Sequence, residues 1–295
     1  MFRFSLHTME VWREVLSIWA PRPAPILLAA LALGVYGMAV RRIRRTRPSG
    51  WPARRTVAHA AGVLSGLFVV VGPPGALDDT LFSAHMVQHL VLTMVTAPLL
   101  VLGAPVLLLL EVSSPRVRRT WIVPVLRSRL ATWLTIPWVG WVLFAGTIVA
   151  THFSPFYDYA IRHPFVHDYV EHPLYLGVAL VFYYPLVGSN PVPHGPSPLA
   201  RVLSLFLMAG PMSMTGFFIY TARAVLYPSY LTVDGPFGSD ALGDQQLAGA
   251  IMWCLGMVVQ VGWVALAVPV WLRAEERKAR RLDQTLVPTG PAGAQ

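Results

Sequence analysis

Two imidazoles, a carboxamide and a thioether are packed into His85-Met86-Val87-Gln88-His89, within a stretch that is otherwise apolar. On a helix, His85 and His89 lie one turn apart on one face with Gln88 beside them, while Met86 points about 100° away. Side chains so placed can share one metal ion or one cofactor, or can act as hydrogen-bonding glue between helices. Ionisable groups cost several kcal/mol in a bilayer unless they are paired, coordinated or facing a cavity, so the pair points first to function. His152, His163, His167 and His172 follow at the ends of later apolar runs, and Glu171 and Asp168 stand beside the last two. Either acid could orient a ligating imidazole, or simply sit at a helix N-terminus where the dipole favours it. Pro173 disfavours helix at His172, which predicts a helix boundary there and places His172 at the aqueous interface. Thioethers recur at Met212, Met214 and Met252, and Asp244 and Gln245 open the last apolar run. Methionine with histidine is a copper preference, whereas carboxylate-rich calcium and thiolate zinc chemistry do not match these residues. Haem is a rival reading, with His85 or His89 paired across helices with His152 or His172.

The elements that must hold these residues are membrane helices. A chain of 295 residues that is 55% hydrophobic, 13% charged and has a mean hydropathy of +0.55 lies outside the soluble range. Apolar runs near 24–40, 56–74, 81–110, 133–152, 172–188, 200–221 and 246–272 predict an all-α polytopic bundle of about seven transmembrane helices. Pro98 and Pro105 predict a kink, or a partly re-entrant segment, in the third. The net charge of +9 reflects arginines in short loops rather than nucleic-acid binding. Of the 23 basic residues, 18 fall in alternate connections, which predicts the N-terminus outside and the C-terminus inside.

The organisation expected is an outer interfacial segment (1–23) that is retained, a transmembrane domain (24–272) and a basic, disordered cytoplasmic tail (273–295) that meets anionic lipid. His7, His59 and His194 are read as structural or solvated, and the single Cys254 as a small core residue. One cysteine excludes an intramolecular disulfide and paired-thiol metal sites. Glycines within the apolar runs, among them Gly103, Gly146, Gly177, Gly210, Gly216 and Gly249, predict close helix approach. No phosphate loop, nucleophile elbow or zinc-protease helix occurs, so the expectation is that the protein is not an enzyme.

Leu81-Phe82-Ser83-Ala84-His85-Met86-Val87-Gln88-His89, followed by Ala97-Pro98-Leu99-Leu100 and Gly103-Ala104-Pro105, resembles the CtaG family of cytochrome c oxidase assembly factors. So do Glu171-His172 through Pro185-Leu186, Asn190-Pro191 and the run from Asp244 to Trp253, a likeness covering roughly 25–272. The resemblance implies a seven-helix protein of the bacterial cell membrane that helps copper reach a caa-type oxidase on the outer side. It carries over His85, Met86, Gln88, His89, His172, Asp244, Gln245 and Met252. From the residues and the resemblance together, metal ligands are expected among His85, His89, His152, His172, Met86 and Met252. Gln88, Glu171, Asp244 and Gln245 are expected around them. The expected partners are apo-oxidase subunits, membrane lipids and extracytoplasmic copper chaperones. A copper permease or a scaffold that clamps an oxidase subunit would use the same surface.

Overall fold

Backbone polar groups have no water to bind in a bilayer, so apolar segments satisfy them within helices. The computed structural model describes residues 13–47, 50–188, 190–193, 195–232 and 240–286, and among these it is helical throughout, without a strand. His7, Trp12 and His194 lie outside the described residues. Seven principal helices follow in order: α1 (Pro23–Thr46), α2 (Ala53–Leu77), α3 (Phe82–Val112), α4 (Pro137–His152), α5 (His172–Leu186), α6 (Pro198–Thr221) and α7 (Ala241–Leu282). Proline in the first turn starts several of them, where a missing N–H costs nothing. Ser197 caps α6 by accepting from the Ala200 N–H at 3.2 Å, and Asp240 caps α7 through Gly243 N at 2.8 Å.

All seven expected runs are helical, and five of them, α1, α2, α3, α6 and α7, are long and apolar enough to cross a membrane. Helix α4 makes a sixth when joined to Phe156–Arg162, which turns away from it by 69°. Helix α5 has 15 residues, about 22 Å of rise, and is extended backwards by a π-helical turn at His167–Glu171. Successive helices run in opposite directions. One end of the bundle therefore collects Asp78, the start of α3, the end of α4, the start of α5 and the start of α7; the other collects most of the arginines.

Helix α3 is the axis of the fold: 56% of its apolar window is buried, against 17% for α1 and α7. The expected break falls at Ala104, a left-handed residue (φ 50°) just before Pro105, and a π turn at Leu92–Thr96 loosens the helix further up. Gly103 lets α3 meet α2, since a Cβ there would stand 2.7 Å from His59 Cβ. His59 stacks on Tyr36 at 3.9 Å, and the Tyr36 hydroxyl donates to the Gly103 carbonyl at 2.7 Å. His59 is thus a buried packing group and not a solvated one.

Helices α6 and α7 touch through Gly216 and Gly249, where an added Cβ would lie 2.7 Å from Trp253 N and 2.4 Å from Tyr220 N respectively. Gly146, Gly177 and Gly210, expected to do the same, face open space. Cys254 is exposed on the flank of α7 rather than buried in the core, whereas Met252 on the same helix is buried.

Candidate metal centre

The first turns of α3 are buried on nearly every side, because α2, α4, α5 and α7 surround them. His85, Gln88 and His89 are 0%, 0% and 5% exposed. The two imidazoles lie one turn apart on one face, their ring centres 3.8 Å from each other and their planes tilted by 57°. Facing them is Glu171, fully buried, whose Oε1 is 3.8 Å from His85 Nε2 and 3.9 Å from His89 Nε2. Among the described residues, all four ring nitrogens of this pair, and Glu171 Oε1, lack a hydrogen-bond partner. Buried polar atoms without partners cost about 1 to 3 kcal/mol each, and such orphans in a native protein call for an explanation. One ring nitrogen of each histidine and one Glu171 oxygen lie within 4.8 Å of one another, so one ion placed among them would take a lone pair from each of the three side chains.

The other oxygen of Glu171 is already engaged. His167 Nδ1 donates to Glu171 Oε2 at 2.7 Å and His167 Nε2 to Asp78 Oδ2 at 3.1 Å, so the ring bridges two buried carboxylates. His167 thereby aims Glu171 at the histidine pair, as partners of metal ligands commonly do. The π turn at His167–Glu171 puts both residues of this contact on one side of the helix. His172, expected at the aqueous interface, is instead 6% exposed, and its Nε2 donates to Gln88 Oε1 at 2.8 Å. Gln88 in turn donates to the Val69 carbonyl of α2 at 3.0 Å. Asp78, His167 and His172 form a second close group of ligand-type atoms, but hydrogen bonds already hold its members.

On the opposite flank of His89 lies a cavity of about 10 Å³, the size of one water molecule or ion, lined by Met86, Met212, Met252, His89 and His152. Three thioethers from three helices therefore border two imidazoles. His152 Nδ1 donates to the Ile148 carbonyl at 2.8 Å, which leaves Nε2 as the lone-pair nitrogen, and that atom too has no partner.

An aromatic roof covers the centre. Phe82 packs on Tyr227 with ring centres 4.7 Å apart, Tyr157 lies 4.4 Å from His85, and the Tyr157 and Tyr230 hydroxyls meet at 2.6 Å. Tyr230 also donates to the Asp78 carbonyl at 2.7 Å and Tyr227 to the His152 carbonyl at 3.0 Å. Beyond the roof, Arg22 binds Asp168 and the Gly75 carbonyl, tying the start of α1 across the bundle end.

Of the expected ligands, the structure sets His85 and His89 together facing Glu171, gathers His89, His152, Met86 and Met252 around the small cavity on the other flank of His89, and places His172 behind Gln88. Glu171, expected around the ligands, instead faces the histidine pair directly. Asp244 and Gln245 stand apart from the ligand atoms: Asp244 accepts from the Ser83 N–H and hydroxyl, clamping α7 to α3, and Gln245 holds the loop at Ala224 and Leu226. His163 is exposed and bonds only the Tyr159 carbonyl. Asp78 and Met212 complete the setting; the only sequence signal for Asp78 is an acid at the very end of an apolar run.

Comparison with known proteins gives relatives over nearly the whole chain. Uncharacterized proteins of Mycobacterium bovis and Mycobacterium tuberculosis are each 29% identical over 96% of it, and one of Mycobacterium leprae is 28% identical over the same share. The chain spans about half the length, 46%, of these curated relatives. No solved structure matches. Residues 34–274 match the cytochrome c oxidase caa3 assembly factor family, Caa3_CtaG, a stretch that runs from within α1 to within α7 and contains every residue of the buried centre; on that breadth of match, the chain belongs to this family.

Proposed function

We propose that this bundle serves oxidase maturation by holding a copper ion in transit between His85, His89 and Glu171, and that it is a carrier rather than an enzyme. The observation that carries the reading is that His85, His89 and Glu171 each bring one ligand atom within 4.8 Å of the other two, in a buried interior where the atoms lack hydrogen-bond partners among the described residues. Imidazole and carboxylate donors suit a divalent ion, among which copper binds most tightly, and the adjoining thioethers suit the reduced ion. The cargo could therefore step from the nitrogen and oxygen set to His89, His152 and the methionines by exchanging one ligand at a time.

In this reading the chain crosses the membrane seven times, with the centre near the outer face of a bacterial cell membrane and the C-terminus inside. The support is the alternation of helix direction together with the concentration of 18 of 23 basic residues at the end opposite the centre. Apo-oxidase subunits would receive the ion, and extracytoplasmic chaperones would supply it. A haem between His89 and His152 or His172 would need a slot for its macrocycle, and the cavity there holds one small ion. Transport would need a path along the axis, which Met94, Ala97, Val101, Phe182 and Met208 fill. A scaffold role would have the histidines bonding neighbouring helices, yet the rings of His85 and His89 have no hydrogen-bond partner among the described residues.

The test is metal analysis of detergent-purified protein from copper-supplemented cells, comparing wild type with His85→Ala/His89→Ala and with Glu171→Gln, alongside oxidase copper content in cells lacking the protein. Copper in the wild type, its loss from both variants and copper-poor oxidase in the deletion strain are expected. Copper-free wild-type protein together with normal oxidase copper in the deletion strain overturns the reading.

A further inference from the structure

At the arginine end, opposite the buried centre, α2, α5, α6 and α7 diverge around a cavity of about 560 Å³. Its polar wall is Arg54 and Arg55 from the first turn of α2 and Arg201 from the first turn of α6, and no acidic residue lines it. None of the three pairs with a carboxylate among the described residues, in contrast to Arg22, Arg47 and Arg162. Two of the three guanidinium groups have neighbours that position them. Arg201 donates to the Pro196 and Gly188 carbonyls at 3.4 Å, and Arg55 lies 4.8 Å over the Trp51 ring. The N-termini of α2 and α6 add the positive ends of two helix dipoles. The remaining wall is apolar, and two of its members, Leu266 and Val270 on α7, are 67% and 54% exposed, so the cavity continues onto the lipid-facing flank of the bundle.

We propose that this cavity binds the phosphate of an anionic phospholipid from the leaflet at the arginine end, with the acyl chains running out past Leu266 and Val270. A topological signal alone asks only that arginines lie in loops; it does not ask that three of them converge on one space without counter-ions. An anion is the chemistry that completes the set, and the apolar wall and side opening select an anion that carries hydrocarbon over a free one. Arginine suits the task because its planar fork meets phosphate oxygens in pairs. The cavity volume accommodates a headgroup and the first methylenes, while the bilayer holds the rest. A lipid seated there would bridge α2, α6 and α7 where the short α5 ends at Gly188, a left-handed glycine (φ 76°).

The experiment is thermal unfolding of the full chain in non-ionic detergent with added phosphatidylglycerol, phosphatidylcholine of the same acyl chains, or inorganic phosphate. The unfolding temperature should rise with phosphatidylglycerol and stay unchanged with the other two. The Arg54→Gln/Arg55→Gln/Arg201→Gln variant should abolish the rise. Ala267→Phe, which fills the cavity without altering charge, should abolish it as well, and this variant keeps the proposal testable if the triple variant does not fold. Arg41→Gln/Arg44→Gln, outside the cavity at the same end, should keep it. Equal rises with both lipids, an equal rise with phosphate alone, survival of the rise in Ala267→Phe, or its loss in Arg41→Gln/Arg44→Gln each overturns the proposal. Metal content plays no part in this readout, so its failure is distinct from failure of the copper reading.

Discussion

At the scale of single residues, the methionines and the histidines beside the cavity divide the work. A Met212→Leu/Met252→Leu variant keeps shape and apolarity, so it should unfold within about 1.5 kcal/mol of wild type. It should weaken binding of cuprous ion about tenfold or more in a chelator competition while leaving cupric binding near wild type, because only the soft ion needs thioether. Acid should empty the centre. Protons compete with the metal for His85, His89 and Glu171, so the occupied fraction falls as pH falls and recovers as pH rises, which a metal-retention titration at graded pH would record. The histidine pair was legible in the sequence, since a four-residue spacing sets two side chains on one helical face whatever else the chain does. Glu171 was legible only as an acid beside a histidine, because its role depends on a π turn and on His167 holding it. Met212 was legible as a thioether but not as a neighbour of His89, and Asp78 was not legible as the partner of His167, since that contact joins residues 89 apart in the chain.

At the scale of elements, the centre depends on three irregular turns. The π turns at Leu92–Thr96, His167–Glu171 and Ile251–Leu255 lie just after His89, across Glu171 and across Met252. Such turns mark functional positions in many helices because they rotate following residues onto a new face. Hydropathy cannot reveal them, which is why the seven runs were readable and the inward face of each was not. The glycine contact between α6 and α7 belongs to the same scale, for it sets how near Met212 and Met252 come to His89. Gly249→Val would drive two methyl groups into the Tyr220 backbone. It should destabilise the fold by about 1 to 3 kcal/mol in thermal unfolding and reduce copper retention with it. The glycines that face open space show the limit of reading small residues from sequence: a small residue permits an approach but does not cause one.

At the scale of the whole molecule, the two ends differ in kind. One end is closed, with buried carboxylates and imidazoles under aromatic rings; the other is open and basic. The proposed topology assigns the closed end to the outside. In a Cys254→Ser background, a membrane-impermeant thiol reagent applied to intact cells should label Asp79→Cys and spare Thr46→Cys; the opposite pattern would invert the orientation. The all-helical architecture was largely readable because bilayer thickness acts on the chain as a whole. Length was less so: α5 is helical where expected, yet it reaches span length only with the turns that precede it.

The roof formed by Phe82, Tyr157, Tyr227 and Tyr230 bears on time rather than affinity. In the carrier proposed above, an ion beneath these four rings would be out of reach of a recipient that merely collides with the surface, so its departure would wait on the hydroxyl contacts parting and the loops swinging aside. Transfer then has a ceiling: adding more recipient speeds it only until loop opening becomes the slow step. Such a carrier keeps its cargo from chance scavengers, and a recipient that docks on those loops and pries them apart is served ahead of one that does not.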